Sequence, residues 1–86
     1  MASVAELKAA ISAAIQQVGD AQTAVRGANE KLTEAQHSLA AALEGSGHEA
    51  VSAAQAALTQ AADELEECLT ATLTAVDQAQ SYAATL

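Results

Sequence analysis

Apolar positions recur through the first half of the chain at an unbroken spacing of seven: Val4, Ile11, Val18, Val25, Leu32 and Leu39. Three residues after each stand Leu7, Ala14, Ala21, Ala28, Ala35 and Ala42. A repeat of this period puts both sets on one stripe of an α-helix, and the stripe needs another helix to cover it. Ile15 and Leu43 widen it on one edge. On the far side, Gln16, Thr23, Glu30, His37 and Glu44 are polar, as a solvent face requires.

Punctuation along the chain sets the element limits. Ser3-x-x-Glu6 is a capping-box pattern that starts a helix at about Ser3. Gly19 and Gly27 each cost roughly 1 kcal/mol relative to alanine in a helix interior. The spacing nevertheless stays in phase across both, which predicts one long helix, bent or soft at those points, rather than two. Gly45-Ser46-Gly47 carries a helix-ending glycine followed by a second capping box, Ser46 to Glu49. The prediction is therefore helix 1 over about 3–44, a tight turn at 45–47 and helix 2 over about 47–84.

The second helix repeats the pattern with Val51, Ala54, Leu58, Ala61, Leu65 and Cys68, after which the stripe moves to Leu69, Thr72 or Leu73, Val76, Ala79 or Gln80, Ala83 and Leu86. That shift reads as a four-residue stutter, which relaxes a supercoil locally. Folding at Ser46 sets Leu39 and Ala42 against Val51 and Ala54, Leu32 and Ala35 against Leu58 and Ala61, and Val25 and Ala28 against Leu65 and Cys68. The expected architecture is an all-α, antiparallel two-helix coiled-coil hairpin. Its seam comprises Val4, Leu7, Ile11, Val18, Val25, Leu32, Leu39, Val51, Leu58, Leu65 and Val76.

Composition adds a consequence. Twenty-five of the 86 residues are alanine, proline is absent, and Tyr82 is the single aromatic. Alanine favours helix, and no stretch shows the β-branched, period-two alternation of a strand. The larger apolar side chains number under twenty; each contributes roughly 1.5–3 kcal/mol when fully buried. Ordering a chain of this size costs on the order of 100 kcal/mol. Small chains of this kind rely on staples or association. One cysteine cannot form an internal disulfide, so association is expected: a homodimer forming a four-helix bundle through Ile15, Leu43, Leu69 and Leu73.

The formal charge of −8, with only Lys8, Arg26 and Lys31 as cations, argues against nucleic acid and against an anionic membrane surface. No apolar run approaches the ~20 residues of a membrane span. Glu6 arrives too early for a cleaved signal peptide. The expected location is the cytoplasm, with export lacking a cleaved signal as the alternative.

Candidate chemistry is sparse. Glu34-x-x-His37 has the ligand spacing of di-iron carboxylate bundles. Both residues fall on the side away from the seam, however, and the facing positions, Gln55 and Thr59, offer no bridging carboxylate. His48 sits at the turn, and Cys68 reads as a small buried hydrophobe. Asp63, Glu64, Glu66 and Glu67 read as a hydrated edge, and Arg26 is expected near Glu66 and Glu67. No nucleophile–base pair or phosphate-binding glycine loop is present. The expectation is a protein that is not an enzyme, with no cofactor and no metal. Its function is expected to be that of a noncatalytic structural or protein–protein interaction module, open to an unknown protein partner.

The opening Met1-Ala-Ser-Val-Ala-Glu-Leu-Lys-Ala9, the Glu44-Gly-Ser-Gly47 turn and the closing Ser81-Tyr-Ala-Ala-Thr-Leu86 resemble short alanine-rich actinobacterial proteins of unknown function. In size and topology the hairpin is also similar to the WXG100 (ESAT-6-like) family. That resemblance implies pairing of hairpins into four-helix bundles, and a small secreted effector or partner of type VII export as the alternative function. The chain differs in having Gly45-Ser46-Gly47 where that family has Trp-x-Gly. It also has Leu86, four residues after Tyr82, where the family's export signal has an acidic residue.

Overall fold

The computed structural model describes residues 3–42, 44 and 49–86. It is an antiparallel pair of α-helices, α1 (Val4–Ala42) and α2 (Glu49–Ala84), packed along their lengths. Leu43 and the turn expected at 45–47, with its capping box, lie outside the described residues. The hairpin is a rod of 64 × 17 × 15 Å. Its radius of gyration is 19.5 Å, where a globular chain of 86 residues would have about 12 Å.

At the start of α1 the Ser3 hydroxyl accepts from the Glu6 amide at 3.1 Å and the Ser3 carbonyl from the Leu7 amide at 2.9 Å. The first satisfies an amide that a helix start would leave unpaired, and the second is the first bond of the helical ladder. Neither Gly19 nor Gly27 interrupts α1. At the far end of α2, the amides of Thr85 and Leu86 donate to the carbonyls of Tyr82 and Ala83, closing the last turn.

The half-buried positions define the seam, and they differ from the expected pairing in one respect. On α1 they run Leu7, Ile11, Ile15, Val18, Gly19, Gln22, Val25, Asn29, Leu32, Gln36 and Leu39. From Ile11 onward the stripe steps by four and three alternately, with Gly19 at its edge. The aliphatic row is therefore covered together with the row four residues later, Ile15, Gln22, Asn29 and Gln36. The row three residues later faces outward instead: Ala14, Ala21, Ala28, Ala35 and Ala42 are all exposed. Val4, placed in the seam by its spacing, is 54% exposed.

The reason lies on α2. There and just beyond it the half-buried residues are Val51, Gln55, Leu58, Ala61, Ala62, Leu65, Leu69, Thr72, Val76, Ala79, Ala83 and, past the helix end, Leu86. Apart from Ala61 at the edge, these keep the same four–three alternation without a break, so no stutter is needed. Leu58, Leu65, Leu69 and Val76 share one stripe only in this phase. A stripe built on Ala54, Ala61 and Cys68 would leave Leu69 and Val76 outside it. The larger aliphatic area wins because burial energy follows apolar area, about 25 cal/mol per Å².

Gln22 and Thr72, joined by a 3.1 Å hydrogen bond, anchor the register. Counting outward from them, Ile11 lies level with Ala83, Ile15 with Ala79, Val18 with Val76, Val25 with Leu69 and Leu32 with Ala62. A fold at Ser46 suggested Val25 and Ala28 against Leu65 and Cys68, so the level of Val25 is displaced by only about a residue, from Cys68 to Leu69.

Candidate interaction surface

Three longitudinal surfaces follow from this geometry. The first is the seam, which contains polar side chains as well as aliphatic ones. Gln22 Nε2 donates to Thr72 Oγ1, and that hydroxyl donates to the Leu69 carbonyl at 2.7 Å. Farther along, Gln36 Nε2 donates to Thr59 Oγ1 at 2.9 Å, and Gln55 Nε2 donates to the Gln36 carbonyl at 3.1 Å. Thr59 Oγ1 in turn donates to the Gln55 carbonyl at 3.0 Å, which closes a small network across the helices. Polar residues of this kind fix a coiled-coil register at some cost in stability. The heptad spacing did not place Gln22, Gln36 or Gln55 in the seam, because they are polar by type.

The second surface follows the residue after each aliphatic of α1: Ser12, Gly19, Arg26 and Thr33. Ser52, Thr59, Glu66 and Leu73 line the same flank on α2. Arg26, Asn29, Glu30, Thr33, Glu34, Glu66 and Leu69 line an open groove of about 630 Å³ there. Arg26 and Glu66 thus share a groove as expected, but the ion pair found among the described residues is Lys31–Glu34, at 3.1 Å and well exposed. Such a pair contributes at most ~1 kcal/mol.

The third surface is the opposite flank. It carries the alanine row of α1 and, on α2, Ala54, Ala61, Cys68, Ala75 and Tyr82. All but Ala61 are exposed, Cys68 included, so the thiol is not the buried hydrophobe expected from its place on the apolar repeat. The four residues assigned to a self-association face are dispersed. Ile15 and Leu69 lie half-buried in the seam, Leu73 is 53% exposed on the polar flank, and Leu43 is outside the described residues. Among the described residues, Ile15, Leu69 and Leu73 do not share one exposed surface.

The remaining candidates are quickly placed. Glu34 accepts from Lys31, and His37 is exposed beyond it. Among the described residues, no three His, Cys, Asp or Glu side chains are grouped as a metal site would require. His48 lies outside the described residues. Asp63, Glu64, Glu66 and Glu67 are exposed, with Glu64 accepting from Gln60 at 3.2 Å. No described helix is long and apolar enough to cross a membrane.

What the arrangement offers is therefore two long flanks of contrasting chemistry, one polar and grooved, one nearly free of charge. Compared with protein-family models, with curated proteins and with solved structures, the chain matches none of them.

Proposed function

We propose that the chain is a noncatalytic structural or protein–protein interaction module, and that it works by self-association of its hairpins into a dimeric four-helix bundle. The observation that carries this reading is the lack of a closed core. No described side chain is fully buried, and the seam residues are only half-covered. The accessible surface is 6064 Å², whereas a compact folded chain of 8.6 kDa would expose about 4,700 Å². The excess, about 1,400 Å², is on the scale of the ~800 Å² per partner that a standard interface covers. A second hairpin would cover such area without any chemistry at a site.

Unfolding followed by circular dichroism over a hundredfold range of protein concentration tests the proposal. Self-association raises the melting temperature as concentration rises, because association stabilises by mass action. A melting temperature independent of concentration, with a monomeric mass throughout, contradicts it.

A further inference from the structure

We infer that the second copy of this chain docks on the alanine flank, the side bearing Ala14, Ala21, Ala28, Ala35 and Cys68, and not on the grooved flank bearing Arg26, Thr33 and Glu66. The inference rests on the self-association reading above and specifies which surface performs it.

Charge placement is the first argument. The chain carries eleven acidic residues and a net charge of −8, so two copies repel unless their carboxylates point away from the contact. None of the eleven stands in the alanine rows or in the half-buried seam. Glu66 is on the grooved flank, with Glu30, Glu34, Asp63 and Asp77 on its outer side, and Asp20 and Glu67 lie on the back of their helices. Closing the grooved flank against a second copy would take Arg26 and Glu66 out of water without the good pairing that offsets such a step. The alanine flank has no such penalty.

Complementarity at its borders is the second. Lys31 stands on the α1 border of the alanine flank and Glu64 on the α2 border, at about the same level along the rod. A two-fold axis running along the hairpin sets Lys31 of each copy beside Glu64 of the other. Both side chains are exposed, and the contacts each makes on its own helix, Lys31 with Glu34 and Glu64 with Gln60, are solvent-exposed ones that pairing between copies would replace.

Area is the third. The flank runs most of the length of a 64 Å rod, and its residues are small. Methyl side chains let helix axes approach near the lower end of the usual range, about 8 Å, so backbone and seam edges come into the contact as well.

The test compares charge insertion on the two flanks of the full chain, read by sedimentation equilibrium with helicity checked by circular dichroism. Ala28→Glu should weaken dimerisation at least ~10-fold, since an unpaired carboxylate in the contact costs well over the 1.4 kcal/mol that a decade represents. Thr33→Glu, on the grooved flank, should leave it nearly unchanged. In the unaltered chain, alkylation of Cys68 should slow several-fold as concentration drives dimer formation, a readout that does not depend on any variant folding. Dimerisation that survives Ala28→Glu and is lost in Thr33→Glu, or a Cys68 reactivity indifferent to concentration while the dimer forms, overturns the inference and leaves self-association standing. An unaltered chain that stays monomeric overturns both.

Discussion

Gly19 and Gly27 lie inside an uninterrupted helix, and a methyl group added at either would meet nothing within 4 Å. Neither glycine is needed for a turn or a close approach in the hairpin. Gly19→Ala and Gly27→Ala should each raise stability by about 1 kcal/mol, through helix propensity and a less flexible unfolded chain; urea denaturation monitored by circular dichroism measures it. Asn29 tells a related story in the seam. It is half-buried, level with Leu65, and its side chain makes no hydrogen bond within the described residues. Asn29→Leu should therefore stabilise, by about 1 kcal/mol of added apolar burial. Gln36→Ala should do the reverse. It removes the bond to Thr59 and the stem that covers the seam, at a cost of about 1 kcal/mol.

At the scale of elements, the period of seven carries the existence and length of the helices, because only a helix keeps residues of that spacing on one side, and the short connection between them carries their antiparallel pairing. Which neighbouring row joins the aliphatic row is a different matter. Alanine at Ala14, Ala21 and Ala28 is apolar by type, and Gln22, Asn29 and Gln36 are polar, so residue type alone favours the alanine side. Packing reverses that choice. The long amide side chains extend across the seam and reach Thr72 and Thr59, whereas an alanine methyl reaches neither. The decisive residues are on the other helix, Leu69 and Val76, whose phase against Leu58 and Leu65 selects the four–three alternation. A pattern read within one helix cannot weigh that. The candidate surface was legible only in part for the same reason: the alanine rows are plain in the sequence, but their outward orientation follows from the partner helix. Ile15 and Leu69 were displaced from the proposed contact by the same shift.

At the scale of the whole molecule, the rod has two half-covered helices and strongly segregated charge. Its acids crowd the back and the grooved flank, leaving one long flank nearly neutral. Two chains of charge −8 repel at long range even when their contact is uncharged. Moderate salt should therefore tighten the proposed dimer, as the Debye length falls to about 10 Å near 0.1 M. Dimerisation weakened by salt would point instead to a contact built from ion pairs. Light scattering coupled to size exclusion, across micromolar loading concentrations of the full chain, tests self-association most directly. A mass of twice 8.6 kDa is the predicted result, and a mass of 8.6 kDa at every concentration would contradict it.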